Sequence, residues 1–279
     1  MYTLVIGNQS DVVIRHFFSC IDAKKHRSVV FIDVNEIGVS IQIKQNGWVF
    51  LSGGEIPHNQ VKSVYNRLLD APSEGVNHHQ YYFLSWLLDS FYPNVINRPR
   101  DTLCNFSKTW QLMVAKKIGF TIPDSYVLAN EQYYVPTLHK EIYKSISSHR
   151  SIVDHTDRNY RKQVHEPVLF QKDCGRFNVR VHVVGQQIFA TQLNSKSVDY
   201  RYDQATQFQS IWLPKWVSDQ CIMLNSAFNL YFSGIDFIVS GQDYFFLEIN
   251  PSPGYAYFES GMNDNGITIA LFDLLGIND

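Results

Sequence analysis

The most constraining feature of the sequence is the run GIDFIVSGQDYFFLEINPSPG, which covers residues 234–254. Apolar and oxygen-bearing side chains alternate along it, a pattern typical of two antiparallel strands joined by a tight turn. If residues 241–243 form a three-residue loop, Asp236 stands directly opposite Glu248, and Asn250 lies on the diagonal. The run therefore predicts a hairpin that gathers three polar side chains at one place.

One face of this hairpin is expected to be buried and the other to be polar, because side chains alternate between the faces of a strand. The buried face is predicted to hold the apolar residues Phe237, Val239, Phe245, Leu247 and Ile249. Two carboxylates on the polar face repel each other unless a cation or a proton lies between them. Carboxylate and amide oxygens favour a hard cation such as Mg²⁺. The alternative is a solvated face without a ligand, but Pro251 and Pro253 end the strand abruptly at a rim, where sites tend to lie.

Composition limits the partners of the chain. The 279 residues carry a formal net charge of -2 at pH 7, so no overall field attracts nucleic acid or a membrane surface. The four cysteines show no CxxC pair and no metal-ligand spacing, and they indicate reduced thiols in a cytoplasmic protein. The apolar run at the N-terminus is too short and too polar-flanked for a signal peptide or a membrane anchor.

The order of the patterns predicts an α/β (α+β) chain with three lobes. The first lobe, residues 1–95, opens with strand, helix and strand in TLVIG, DVVIRHFFSCIDA and SVVFIDV, the start of a parallel α/β layer. An Asn-Gly pair at 46–47 predicts a hairpin in it. The second lobe, residues 96–170, has a helix followed by short strands. The third, residues 171–279, has antiparallel strands, a helix near 215–230, the hairpin described above and a closing helix.

The segment DFIV…YFFLEINPSPG resembles the metal-binding hairpin of the ATP-grasp ligases, with Asp, Glu and Asn at matching spacing. The resemblance covers most of residues 96–279 and is strongest to the microviridin-type (graspetide) peptide ligases, followed by the ribosomal-protein glutamate ligases. It implies an ATP-grasp fold, in which the nucleotide lies between two β-rich lobes, with residues 1–95 as the pre-ATP-grasp lobe. It also implies that Asp236, Glu248 and Asn250 bind Mg²⁺, with two ions clamping the phosphates of ATP.

Other motifs supply the cations and contacts that the resemblance assigns to ATP. Lys108 in CNFSKTWQLMVAKKIGF and Lys144 in EIYKSIS occupy the places of the two nucleotide-binding lysines. PVLFQKDC resembles the hinge whose backbone meets adenine, at Gln171 and Lys172, and Asn178 stands near the place of a ribose contact. Taken singly, each lysine is better explained as a solvated residue, and only the ordered set is specific to a nucleotide site.

Two arginines are assigned to the reaction. NVRVHVVGQQIFATQ supplies Arg180 and VDYRYD supplies Arg201; both are expected to stabilise charge on the transferred phosphoryl group and on an acyl phosphate. One departure from the family is the segment KSISSHRSIVDHTDRNYRKQV, which contains no glycine where ATP-grasp enzymes usually have a glycine-rich loop. Whether the loop 145–165 supports turnover is therefore open.

The sequence as a whole predicts an ATP-dependent carboxylate–amine or carboxylate–hydroxyl ligase that acts through an acyl phosphate. By resemblance to the graspetide ligases, the carboxylate is an Asp or Glu side chain of a ribosomal peptide, and the product is a modified or macrocyclic peptide. One alternative is an amino-acid ligase acting on a peptide or a small molecule. Another is a non-catalytic nucleotide- or peptide-binding scaffold, which the glycine-free loop favours. Family members often dimerise, so a homodimer is possible, and the residues do not decide between ester and amide products.

Overall fold

The computed structural model describes most of the chain, and its contacts divide the chain into two compact units. The described ranges are residues 1–22, 26–68, 78–128, 140–146, 153–155, 167–175, 177–194 and 206–278, with the backbone alone for residues 26, 78–80 and 153–155. Unit 1 comprises Met1–Thr102, Asn229–Phe232 and Ser252–Asp279, and unit 2 comprises Leu103–Phe228 and Ser233–Pro251. The division into lobes 1–95, 96–170 and 171–279 stays a prediction. Among the described residues, no helix is long and apolar enough to cross a membrane.

The part of unit 1 that the structure describes contains two sheets. A parallel sheet has the strand order β2-β1-β6-β7, and its strands are β1 Tyr2–Gly7, β2 Val29–Asp33, β6 Val61–Asn66 and β7 Val95–Ile96. A smaller antiparallel sheet consists of β3 Ile41–Lys44, β4 Gly47–Phe50 and β5 Glu55–Pro57. The predicted hairpin is confirmed, but its turn is one residue earlier than expected, because Lys44 pairs with Gly47 and Gln45-Asn46 make the turn.

Helices cover both faces of the parallel sheet. The covering helices are α1 Val12–Ser19, α2 His78–Ser90 and α7 Gly266–Leu274, and the described part of unit 1 also contains α3 Pro99–Thr102 and α6 Ala256–Met262. On one face, Leu4 and Ile6 share a buried cluster with Leu88 of α2. On the other face, Phe17 of α1 contacts Tyr65 of β6 and Phe272 of α7, with ring centroids 5.3 and 5.0 Å apart. The last helix of the chain thus completes the core of the first unit.

Polar contacts fix the late segments of the chain within unit 1. Ser63 donates a hydrogen bond to the carbonyl of Leu275, 2.8 Å away. The buried Asn97 accepts from the backbone amides of Tyr231 and Phe232 at 2.9 and 3.2 Å. Unit 1 is therefore built from three stretches of sequence that are far apart along the chain.

Among its described residues, unit 2 contains one sheet of four strands, one sheet of five strands and two α-helices. The first sheet has the order β10-β9-β11-β8, with β8 Ser125–Leu128, β9 Glu141–Ser145, β10 Val153–His155 and β11 Val168–Lys172. The second has the order β14-β13-β12-β15-β16, with β12 Phe177–Val184, β13 Gln187–Asn194, β14 Gln207–Ile211, β15 Phe232–Ser240 and β16 Asp243–Asn250. The helices are α4 Lys108–Ile118 and α5 Lys215–Ala227. Short 3-10 turns in the chain cover His26–Ser28, Val34–Glu36, His58–Gln60 and Leu103–Phe106.

The sequence predicted most of these elements for identifiable reasons. Helix α4 ends where Gly119 adopts a left-handed conformation with φ 109°, the usual end of a helix at glycine. The alternation along residues 177–194 gives the antiparallel pair β12–β13. The mixture of a parallel sheet with antiparallel sheets confirms the α/β (α+β) class.

Candidate active site

The candidate site is built on the hairpin β15–β16 of unit 2. Asp236 pairs with Glu248, and Gly234 pairs with Asn250, so the three oxygen-bearing side chains share one face. The predicted pairing of Asp236 with Glu248 is confirmed. The predicted three-residue loop is wrong, because Ser240 already pairs with Asp243 across a two-residue turn.

A β-bulge reconciles the short turn with the observed pairing. The register shifts between Asp236 and Phe237, which pairs with Phe246, so Leu247 is the additional residue. As a result, Phe246 is fully buried against Phe237, with ring centroids 6.2 Å apart. The predicted burial of Phe245 and Leu247 is therefore wrong: both are half-buried. The bulge shifts the alternation of side chains in β16 by one residue. Glu248 and Asn250 therefore lie on the same face of the hairpin as Asp236.

Arg180 holds Asp236 in a two-pronged ion pair. Its Nε lies 2.7 Å from Oδ1 of Asp236, and a terminal guanidinium nitrogen donates to Oδ2 at 2.9 Å. Both side chains are largely buried, with 8% and 14% of their surfaces exposed. Such a fork fixes the orientation of a carboxylate as well as its charge. The sequence predicted that Arg180 faces the phosphates, whereas in the structure two of its nitrogens orient Asp236.

Lys108 stands beside the second carboxylate. It is the first residue of α4, and its Nζ lies 3.3 Å from Oε2 of Glu248. Its backbone amide donates to the carbonyl of Ile146, just after β9, at 2.9 Å. Each carboxylate on the polar face thus has its own cation, which offsets the repulsion between two acids that pair directly.

The remaining predicted residues divide between the two sheets of unit 2. Lys144 and Gln171 lie on one face of the first sheet, because Lys144 pairs with Leu169 and Gln171 pairs with Ile142. Both side chains are buried. Asn178 lies two residues before Arg180 on β12, hence on the same face of the second sheet. Arg201 lies outside the described residues, as does most of the loop 145–165.

Gln171 and Lys172 form the end of β11. The side-chain amide of Gln171 donates to Ser125 at 3.0 Å, whereas its buried Oε1 has no hydrogen-bond partner among the described residues. A buried carbonyl oxygen in this position is costly unless a donor reaches it. Lys172 is exposed, and its backbone amide donates to the carbonyl of Asp124 at 2.9 Å.

Two buried polar residues near the site were missed by the sequence analysis. His182 follows Arg180 by two residues on β12, and burial together with the positive charge of Arg180 lowers the pKa of His182 well below its ordinary value. Gln111 in α4 is 1% exposed and contacts the backbone of Ile249 in β16. A polar residue on the buried face of a helix, one turn after Lys108, was the available signal for Gln111.

The side chains at this site could hold a hard cation only if the two carboxylates and the amide oxygen act together. Among the described residues, no three His, Cys, Asp or Glu side chains form a group that could hold a metal ion. The available ligands are the carboxylates of Asp236 and Glu248 and the amide oxygen of Asn250, all on one face of the hairpin. Two carboxylates and an amide suit Mg²⁺, which normally completes its shell with water and phosphate oxygens.

Comparison with known proteins gives the class of this site. Residues 135–273 match the family model of the RimK-like ATP-grasp domain. The matched segment is a RimK-like ATP-grasp domain, and the chain is an ATP-grasp ligase. ATP-grasp enzymes use ATP and Mg²⁺. A search of curated proteins gives no match.

Solved structures with a similar fold match this chain over nearly its whole length. The macrocyclase MdnC from Microcystis aeruginosa MRC, bound with the precursor peptide MdnA, has a TM-score of 0.78 and 19% identity, and the match covers 99% of this chain and 99% of that chain. A RiPP-associated ATP-grasp ligase from Chryseobacterium gregarium, in complex with ADP and a leader and core peptide, has a TM-score of 0.78 and 19% identity, covering 100% and 98%. The ATP-grasp ligase PsnB, complexed with a phosphomimetic variant of its minimal precursor, Mg and ADP, has a TM-score of 0.76 and 19% identity, covering 99% and 98%. The ATP-grasp fold expected from the sequence is confirmed.

Proposed function

We propose that this ligase activates Asp or Glu side chains of a ribosomal peptide as acyl phosphates and joins them to an amine or a hydroxyl. The observation that carries the proposal is the face of β15–β16, where Asp236, Glu248 and Asn250 meet beside Arg180 and Lys108. The similarity to MdnC and to the Chryseobacterium gregarium ligase over nearly the full length of the chain supports a peptide as substrate.

Asp236, Glu248 and Asn250 are the proposed ligands of Mg²⁺. When bound, the metal would neutralise phosphate charge and orient the β- and γ-phosphates of ATP. Two ions are proposed, and PsnB with Mg and ADP supports the choice of metal. In this arrangement, the fork of Arg180 keeps the Asp236 oxygens in place.

The proposed ATP contacts come from both sheets of unit 2. Lys108 and Lys144 would face the phosphates, Gln171 and Lys172 the adenine, and Asn178 the ribose. The buried Oε1 of Gln171 supports the adenine contact, since an exocyclic amine would supply the donor that it lacks among the described residues. Lys144 is buried in β9 and lies on the same face of the first sheet as Gln171, which supports placing both beside one nucleotide.

The reaction itself needs charge stabilisation and positioning. A carboxylate oxygen of the peptide attacks the γ-phosphorus, the bond to the β–γ bridging oxygen breaks, and ADP leaves. The amine or hydroxyl then attacks the acyl carbon, the bond between this carbon and the bridging oxygen breaks, and inorganic phosphate leaves with that oxygen and the electron pair, while the nucleophile releases its proton to solvent. Arg180 and Arg201 are proposed to stabilise the transferred phosphoryl group and the acyl phosphate.

The first test is the melting temperature with and without Mg²⁺-ATP. Ligand at about 100 times its Kd stabilises the folded protein by roughly 2.7 kcal/mol, a shift of several degrees at about 2–4 °C per kcal/mol. Glu248→Ala should abolish the magnesium-dependent part of the shift. The matched control is Asp243→Ala, which removes an exposed carboxylate at the turn of the same hairpin and should keep the full shift. A wild-type protein that shows no shift would contradict the proposed nucleotide site.

Measuring ADP release distinguishes the proposed peptide ligase from the two alternatives, an amino-acid ligase and a non-catalytic scaffold. The substrate to try is a peptide with clustered Asp/Glu and Ser/Thr/Lys residues, encoded by a short reading frame beside the gene. We expect ADP release that depends on this peptide, with one water lost from the peptide mass for each bond formed. ADP release that requires a free amino acid instead, with a matching gain in mass, would favour the amino-acid ligase. Nucleotide binding with no ADP release under either condition would favour the scaffold. The proposed cytoplasmic location is tested by fractionation.

A further inference from the structure

Gln111 makes three hydrogen bonds from a buried position in α4. Its Nε2 donates to the carbonyls of Ile249 and Cys104, each 2.9 Å away, and its Oε1 accepts from the amide of Ile249 at 3.1 Å. Both backbone groups of one residue in β16 are thus paired with one side-chain amide. Strand β16 is the edge of its five-stranded sheet, so Gln111 bonds to Ile249 as an additional strand would.

The location of Ile249 makes this pairing relevant to the site. Ile249 lies between Glu248 and Asn250, two of the three proposed metal ligands, and its own side chain is fully buried. Lys108 precedes Gln111 by three residues, hence lies on the same side of the helix, and its Nζ reaches Glu248. One turn of α4 therefore contacts β16 in two ways. Gln111 bonds to both backbone groups of Ile249, a contact that we call the clamp, and Lys108 forms an ion pair with Glu248.

The same edge is fixed a second time beyond the bulge. The carbonyl of Thr121, just after α4, accepts from the amide of Phe246 at 2.9 Å. The two contacts lie on either side of Leu247, the additional residue of the bulge. The hydrogen bonds of Gln111 to Ile249 therefore fix the backbone between Glu248 and Asn250 on the side of β16 that faces away from β15.

We propose that Gln111 is a positioning residue of the ligase: it fixes Glu248 and Asn250 of β16 relative to Lys108, so that metal ligands and a phosphate-binding lysine hold a constant spacing. This role rests on the proposed function, because it presumes that these residues bind metal and nucleotide. Residues that orient metal ligands typically contribute tenfold to a hundredfold to metal affinity.

The test measures Mn²⁺ binding in the presence of ADP by the electron paramagnetic resonance signal of unbound Mn²⁺. Gln111→Met keeps the length of the side chain and removes the three hydrogen bonds, and it should raise the Kd of Mn²⁺ about tenfold. The control is Val217→Ala, which removes buried apolar volume in α5 of the same unit. It lowers stability without touching the clamp, so its Kd should equal that of the wild type.

Gln111→Glu supplies a readout that a merely structural role would not give. A protonated Glu carries a donor and an acceptor, as the amide does, whereas an ionised Glu faces two carbonyl oxygens without a donor. The Kd of Mn²⁺ in this variant should approach the wild-type value at pH 6 and rise at pH 8, relative to the wild type at the same pH.

The possible outcomes distinguish failure of the positioning role of Gln111 from failure of the proposed function. If the wild type binds Mn²⁺ and Gln111→Met binds it equally well, the positioning role is overturned and the proposed function stands. The role is also overturned if Gln111→Glu follows the pH dependence of the wild type. If the wild type itself binds no Mn²⁺ with ADP, the proposed function fails and the positioning role fails with it.

Discussion

At the scale of single residues, the site pairs each carboxylate with a cation of a different kind. Asp236 has the rigid guanidinium fork of Arg180, and Glu248 has the flexible ammonium group of Lys108. The Arg180 pair is the more buried of the two, with 8% and 14% of the side-chain surfaces exposed against 13% and 30%. Arg180 is therefore expected to matter for stability as well as for chemistry, because an uncompensated buried charge is costly.

Removing Arg180 alone should destabilise the protein more than removing the whole pair. Arg180→Met removes both nitrogens that bind the largely buried Asp236 carboxylate, and we expect a loss of about 2–4 kcal/mol in the free energy of unfolding. In Arg180→Met/Asp236→Leu, both charges are gone and much of this loss should be recovered. Urea unfolding measures both variants. A double variant as unstable as the single one would show that the loss comes from packing and not from the unpaired carboxylate.

His182 should make the protein less stable in mild acid. Its pKa in the folded state lies well below the ordinary value of 6.5 because of burial and Arg180. Below pH 6.5 the unfolded chain takes up a proton that the folded protein does not, so this residue's contribution is full above pH 6.5 and falls as the pH falls. The loss approaches about 1.4 kcal/mol per pH unit.

Urea unfolding of the wild type and of His182→Gln at pH 7.5, 6.5 and 5.5 tests this. Between pH 6.5 and 5.5, the wild type should lose about 1 kcal/mol more than the variant. Equal losses in the two proteins would mean that His182 is protonated in the folded state.

At the scale of elements, the hairpin shows which structural features the periodicity of the sequence predicts and which it does not. Alternation along residues 234–250 predicts that Asp236, Glu248 and Asn250 share a face, because the strand period is two. It does not predict the bulge. The additional residue Leu247 allows a two-residue turn and the buried contact of Phe237 with Phe246 to coexist with the pairing of Asp236 with Glu248. Two compensating differences, a shorter turn and a bulge, leave the predicted pairing intact.

The contacts between elements were the part that sequence could not supply. Gln111 lies 138 residues from Ile249 along the chain, and no local pattern connects a helix glutamine to the backbone of an edge strand. The fork of Arg180 on Asp236 spans 56 residues and likewise depends on which strands become neighbours. The family resemblance supplied the site residues by motif, whereas their mutual contacts required the fold.

A steric prediction concerns the segment after β11. A Cβ added at Gly175 would lie 1.6 Å from Cγ2 of Ile238 in β15, so Gly175→Ala must displace the end of the proposed adenine hinge. We expect a lower melting temperature and a higher Kd for ADP. Ile238→Ala removes the obstructing methyl group, so the double variant should regain much of the ADP affinity. If Gly175→Ala binds ADP like the wild type, the close approach has no bearing on the hinge.

At the scale of the whole molecule, unit 1 depends on sequence that follows unit 2. Phe272 of α7 packs on Phe17, and residues 229–232 are bonded to Asn97. A fragment of residues 1–102 lacks both contributions and leaves one apolar face of its parallel sheet covered by α1 alone. We expect it not to fold alone, as measured by circular dichroism and amide hydrogen exchange. A stably folded fragment would instead support residues 1–95 as an independent lobe.

The late position of α7 has a consequence for how the chain is made. At about 5–20 residues per second, a ribosome needs roughly 10–35 seconds to proceed from the end of the first stretch of unit 1 to its last helix. During that interval the nascent chain carries an apolar sheet face covered by α1 alone, and partly exposed apolar surface of this kind is prone to aggregation. The hairpin β15–β16, which carries the proposed metal ligands, emerges before α7, so the proposed nucleotide- and metal-binding residues are synthesised while unit 1 is still incomplete. Supply of folded enzyme would then depend on chaperone capacity more than on the stability of the finished protein.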